Sequence, residues 1–211
     1  MQAFRTTLLA CAALTLAACS QEQSQQSMQD EPAAPSSNTS AADESAMAGV
    51  EAPMAPTDAM PRATAMLKGT QGNESVSGQV VFQASADVVL VQAEIKGLEP
   101  GEHGFHVHEN GDCSAPDASS AGGHFNPADH EHAGPDAERQ HMGDMGNITA
   151  GDDGTARVDA EYRFLVLDPE ADNSIMGKAV VVHAGADDMS SQPSGDAGAR
   201  VACGVITNAP Q

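Results

Sequence analysis

Val88-Val89-Leu90-Val91-Gln92-Ala93-Glu94-Ile95-Lys96 is the segment that decides the fold class. Val89, Val91, Ala93 and Ile95 fall on one face, and Gln92, Glu94 and Lys96 on the other. Alternation at a period of two marks a strand with one face buried. Residues 157–163 repeat it: Val158, Ala160 and Tyr162 alternate with Arg157, Asp159, Glu161 and Arg163. Shorter runs near 65–68, 76–84, 179–183 and 200–206 are separated by turn signals such as Glu99-Pro100-Gly101 and Asp153-Gly154. Long helical periodicity is missing. The pattern predicts an all-β sandwich or flattened barrel with Greek-key connections. Two connections, 109–147 and 184–199, are too long for hairpins, and loops of that length are usually functional or pinned.

Six of the eight histidines, with one aspartate, have the spacing of a two-metal site. His106 and His108 project from the same side of an extended strand. His124 follows in Gly122-Gly123-His124-Phe125-Asn126-Pro127, then His132, then His141-Met142-Gly143-Asp144, and His183 ends the apolar run from Ala179. Imidazole suits copper and zinc, and three imidazoles with a carboxylate suit tetrahedral zinc.

Five segments, residues 97–113, 122–127, 132–148, 177–188 and 195–206, resemble the copper,zinc superoxide dismutase family in the family's order. The resemblance runs from about Ala63 to Ile206 and implies an immunoglobulin-like Greek-key β-sandwich, an architecture of which this family is itself a standard example. It implies copper on His106, His108, His124 and His183, and zinc on His124, His132, His141 and Asp144, with His124 shared. By the same resemblance Asp187 is a carboxylate between the two metals and Arg200 guides the anionic substrate, superoxide. The implied reaction yields dioxygen and hydrogen peroxide through copper redox cycling, with zinc structural. His124 would let go of reduced copper, take up a proton and return it to the reduced substrate. Cys113, five residues after His108, resembles bacterial members, whereas the zinc loop resembles eukaryotic-type ones. The two branches pair through different surfaces, so a homodimer is among the assemblies left open.

The amino end carries Arg5, an apolar run from about Thr6 to Ala18, and Leu16-Ala17-Ala18-Cys19-Ser20. The run is too short to span a bilayer and reads as a secretory signal over residues 1–18. Leu-Ala-Ala-Cys resembles a bacterial lipobox, which implies lipidation of Cys19. Ser20 implies onward sorting to the outer membrane, on the periplasmic side. Residues 19–61 lack aromatics and apolar periodicity and read as a lipid-anchored disordered tether ahead of a domain at 62–211. Export removes Cys11 and Cys19 from the count, leaving Cys113 and Cys203, which read as one disulfide.

The formal net charge of −21, with nine Lys and Arg in all, excludes a nucleic-acid or anionic-membrane footprint. It also conflicts with an anionic substrate, because the loop ending at Arg200 holds Asp187, Asp188 and Asp196 but no lysine. Lys68 or Lys178 would have to fold toward the site to relieve that. His103 reads as a packed structural histidine and His130 as a solvated loop residue. A second reading of the ligand set is a copper- and zinc-binding lipoprotein without turnover. It is disfavoured because all four copper histidines and Arg200 are present.

Overall fold

The computed structural model describes residues 62–209. The signal segment, Cys19 and the tether therefore lie outside the described residues. Eight strands are formed: β1 (Arg62–Gly69), β2 (Ser77–Ser85), β3 (Val88–Lys96), β4 (Gly101–His108), β5 (Asp144–Ala150), β6 (Thr155–Tyr162), β7 (Ala179–His183) and β8 (Arg200–Asn208). They close into one antiparallel barrel in the order β1-β2-β3-β6-β5-β4-β7-β8. The neighbours β3–β6 and β4–β7 are not consecutive in sequence, which is the Greek-key crossover expected from the strand pattern. Among the described residues helical structure amounts to one 3-10 turn, Ser119–Ala121, a feature too short to leave a periodic signal.

The alternation in β3 is realised as read. Val89, Val91, Ala93 and Ile95 are buried, while Gln92, Glu94 and Lys96 are exposed. Phe82, Phe105, Ile95, Ile175 and Ile206 are fully buried and fill the barrel interior with Val80, Val91, Val107, Val180 and Val182. Strand β5 begins at Asp144, so its first four residues fall inside the stretch expected to be loop. Asp144, Met145 and Gly146 are all buried, so no alternation marks its start. Strand β7 is likewise buried throughout and reads as a continuous apolar run. The barrel's thinnest seam is β5–β6, which pair only at Ala150–Ala156. There Tyr162 donates its hydroxyl to Met145 O at 2.9 Å.

Parity along β4 positions the site. Phe105 and Val107 turn into the core, so His106 and His108 point out of the barrel yet remain buried. What covers them is the pair of long loops, residues 109–143 and 184–199. The first is anchored at its root by the Cys113–Cys203 disulfide, which joins it to β8 across 90 residues of sequence. Around that bridge Ala118, Ala121, Ala179 and Val181 form a small second apolar cluster.

Candidate metal centre

Two groups of four buried side chains meet on the outer face of β4, β5 and β7: His106, His108, His124 and His183, and His124, His132, His141 and Asp144. Within each group one potential ligand atom per residue lies within 4.8 Å of the others. His124 belongs to both. A register shift in β4 between Gly104 and His106, where it faces β5, re-aims the His106 side chain. Gly104 permits that bend, since a Cβ there would come within 2.8 Å of Ala197 Cβ and 2.9 Å of His106 Cε1.

Hydrogen bonds determine which nitrogen of each ring is free. His108 Nδ1–H donates to Gly122 O at 3.0 Å and His183 Nδ1–H to Gly198 O at 3.0 Å. Their Nε2 atoms therefore carry lone pairs, and these face each other across 3.3 Å. His106 Nε2–H donates to Asp187 Oδ2 at 2.7 Å, His132 Nε2–H to Asp187 Oδ1 at 2.9 Å, and His141 Nε2–H to His130 O at 3.1 Å. That leaves the Nδ1 atoms of His106, His132 and His141 buried and without a hydrogen bond. His124 differs. Its Nδ1 lies 2.8 Å from Asp144 Oδ1 and its Nε2 is an orphan inside the first group, so neither ring nitrogen faces outward.

Asp144 is fully buried, 3.0 Å from His132 Nδ1 and 3.3 Å from His141 Nδ1. Both contacts lack hydrogen-bonding geometry, as expected for donors arranged around a common centre rather than for each other. The backbone N–H of His141 and of Ala133 hold its Oδ2. Burial opposes its ionisation, but His124, His132 and His141 outweigh that and keep it well below the usual carboxylate range. Buried polar atoms without partners are costly, about 1–3 kcal/mol each. Once His132 gives up its proton, six imidazoles and one carboxylate are a donor set for two cations of the copper and zinc kind.

Electrostatics separates the two groups. Burial, with repulsion from neighbouring imidazoles, lowers His108 well below the ordinary histidine value and His183 to about 3. Burial also lowers His124 to about 4, against the pull of Asp144. These rings are neutral at pH 7, the form that ligates. His132 goes the other way. Burial works against its charge, but Asp144 and Asp187 together raise it to about 8. Asp187 itself sits at about 2 because bonds from His106, Met189 N–H and His132 outweigh its burial.

Arg200 opens β8 beside the first group. Its guanidinium donates to Ala118 O at 2.6 Å and to Gly122 O, the carbonyl that also holds His108. Burial lowers its pKa from the ordinary arginine value, and Asp117 pulls it back up. Asp117 was not singled out by the sequence pattern, and only the turn at Ser119–Ala121 brings it near. Lys178 does not serve the site: its ammonium lies 4.7 Å over the Phe125 ring. His103 is structural, bridging His183 O at 2.7 Å and Glu99 O at 2.8 Å. His130 contributes its backbone carbonyl to His141, while its ring faces Gln140 O.

The family model for copper/zinc superoxide dismutase (SODC) matches residues 76–206. An extracellular superoxide dismutase [Cu-Zn] from Brugia pahangi is 44% identical over 154 residues, 68% of this chain and 74% of that protein. A crystal structure of the clock protein EA4 superposes with a TM-score of 0.65 at 39% identity, covering 74% of this chain and 99% of the other. The chain belongs to the copper/zinc superoxide dismutase family. It is an oxidoreductase of that family, acting on superoxide with copper and zinc as cofactors.

In the metal-free protein, protonated His132 stabilises the fold fully below about pH 6.5 and loses that contribution as pH rises through its folded value of about 8. Zinc titrated into metal-free protein at pH 7 should therefore release a proton from His132, with the release fading above pH 8. Calorimetry in buffers of different ionisation heat measures it; pH-independent release between 7 and 9 would contradict the assignment.

Proposed function

We propose that the first group, His106 and His183 Nδ1 and Nε2 respectively with His108 Nε2 and His124 Nε2, holds copper, and that His124, His132 and His141 Nδ1 with Asp144 hold zinc. The observation that carries this reading is His124, the one ring of the six with both nitrogens directed inward. Bound copper supplies one-electron exchange, so that two superoxide ions and two protons become one dioxygen and one hydrogen peroxide. The chain's own part is to position, neutralise and deliver protons. His106, His108 and His183 present inward nitrogens whose rings are oriented by Asp187, Gly122 and Gly198. His124 Nε2 is placed to take up a proton and pass it to the reduced substrate. In the metal-free protein Asp144, beside Nδ1, partly offsets the lowering that burial imposes on this ring. Arg200, fixed by two carbonyls, offers its remaining donors to the anion as a cation that does not react.

The same reading assigns residues 1–18 as a signal peptide, Cys19 as the lipid-bearing residue, 19–61 as the tether and 62–211 as the enzyme domain. The anchored enzyme would protect the envelope, on the periplasmic face of the outer membrane, from superoxide. Support for export comes from the lipobox-like sequence, from the Cys113–Cys203 disulfide and from the extracellular label of the Brugia relative. Mass spectrometry should find a diacylated amino terminus at Cys19 that Cys19→Ser abolishes; an unmodified terminus elsewhere would refute the anchor. A homodimer is compatible with this reading.

His124→Ala should weaken both metals, whereas His106→Ala should abolish turnover and leave zinc bound at one per chain. Elemental analysis with a superoxide-consumption assay on the same samples decides it. Normal occupancy of both metals in His124→Ala would show that His124 does not bridge.

Superoxide dismutases are themselves an established example of electrostatic steering. In this chain Asp187 is engaged by two imidazoles, and Asp188 spends its carboxylate on the Ser190 and Ser191 backbone. Asp117 acts on Arg200, Asp196 is exposed in the same loop as Asp188, which carries no lysine, and exposed charges are screened beyond about 8 Å at physiological salt. The rate should therefore depend only shallowly on ionic strength, and Arg200→Ala should flatten or invert the slope. A steep salt dependence that survives Arg200→Ala would place the guiding charge elsewhere.

A further inference from the structure

We infer that Gln192 is a positioning residue for His132, binding both backbone groups of that residue through its side-chain amide and thereby fastening the 184–199 loop to the loop that carries the zinc-side ligands. His132 N–H donates to Gln192 Oε1 at 2.8 Å, and Gln192 Nε2 donates to His132 O at 2.9 Å. An amide side chain carries a donor and an acceptor side by side, so it can pair with a residue's N–H and C=O as a neighbouring strand would.

The turn that presents Gln192 is braced from within. Asp188 N–H donates to Gly195 O at 2.8 Å and Gly195 N–H to Ser191 O at 2.7 Å. The Asp188 carboxylate accepts the N–H of Ser190 at 2.9 Å and of Ser191 at 2.7 Å, and Gln192 Nε2 also reaches Ser190 O at 3.1 Å. At its far end the turn lies directly on the His132–Asp187 contact. Gly195 has φ +66°, and a Cβ there would overlap the Asp187 carboxylate and come within 2.7 Å of His132 Nε2.

Asp187, the other partner in that contact, is held in the same manner. Asp187 N–H donates to Asn147 Oδ1 at 2.7 Å, and Asn147 Nδ2 donates to Asp187 O at 2.8 Å. Two amides thus grip the backbones of the two residues whose side chains meet at 2.9 Å. Asp187 passes the constraint to His106 through its second oxygen, so the turn at Gln192 bears on both histidine groups. Gln192 is exposed and touches neither group through a ligand atom; it acts through His132. The inference rests on the reading of His132 as a zinc-side ligand.

Cobalt(II) loaded into the zinc side serves as the probe, its ligand-field bands reporting geometry and its loss to a chelator reporting retention. Gln192→Met keeps the length of the side chain and removes both hydrogen bonds. Two part-buried hydrogen bonds correspond to a release roughly tenfold faster than in wild type, accompanied by shifted bands. Gln192→Glu keeps the acceptor for His132 N–H and loses the donor, so its release rate should fall between the two. Wild-type release and bands in Gln192→Met would overturn the inference. So would faster release matched by an equal loss of stability in the metal-free variant, which would make Gln192 a general stabiliser. His132→Ala is the control: cobalt bound with unchanged bands there would refute the ligand reading of His132 itself.

Discussion

Orphaned nitrogen lone pairs, buried on the outer face of a β-barrel, are the constraint on which the rest of this structure depends. His106, His124, His132 and His141 each bury a ring nitrogen with no hydrogen-bond partner, and His108 and His183 turn theirs toward each other. A barrel interior filled with Val, Ile and Phe cannot satisfy such atoms. They are tolerated where cations take the place of hydrogen-bond donors, which couples metal binding to the arrangement of the loops.

The division of labour follows from strand geometry. The barrel supplies rigid points of attachment: His106 and His108 from β4, His183 from the end of β7, Asp144 from the start of β5 and Arg200 from the start of β8. The long loops supply His124, His132, His141 and Asp187 and cover what the strands expose. Since loops of this length carry little order of their own, they are fixed by what they share. The disulfide holds the first loop to β8, and Asp187 joins one histidine from each group. The outer hydrogen bonds of the rings then set tautomers, so the carbonyls of Gly122, Gly198 and His130 are as much a part of the site as the imidazoles.

The acidic surface is reconciled with an anionic substrate by where the charges are spent. Asp144 and Asp187 are consumed by imidazoles, and Asp188 by its own turn. Arg200 is the positive group held against the first histidine group, through a carbonyl it shares with His108. A net charge of −21 therefore describes the chain as a whole and not the field at the site.

Much of this was legible in the sequence because it is written at short range. Alternation in β3 and β6 follows from one buried face, and the pairs His106/His108 and His141/Asp144 each lie within one strand or turn. The ligand chemistry is likewise a property of residue type. Other features carried no local signal. The start of β5 hid its strand character because Asp144, Met145 and Gly146 are buried regardless of parity. Asp117, Asn147 and Gln192 are ordinary polar residues in sequence. Asp117 acquires meaning beside a guanidinium 83 positions away, and Gln192 on a backbone 60 positions away. The amino-acid sequence alone determined which side chains could bind metal and that the chain would form strands. Tertiary structure alone decided which nitrogen of each ring is free, and which unremarkable amides hold the ligands, because both depend on hydrogen bonds between segments that meet only when the barrel closes.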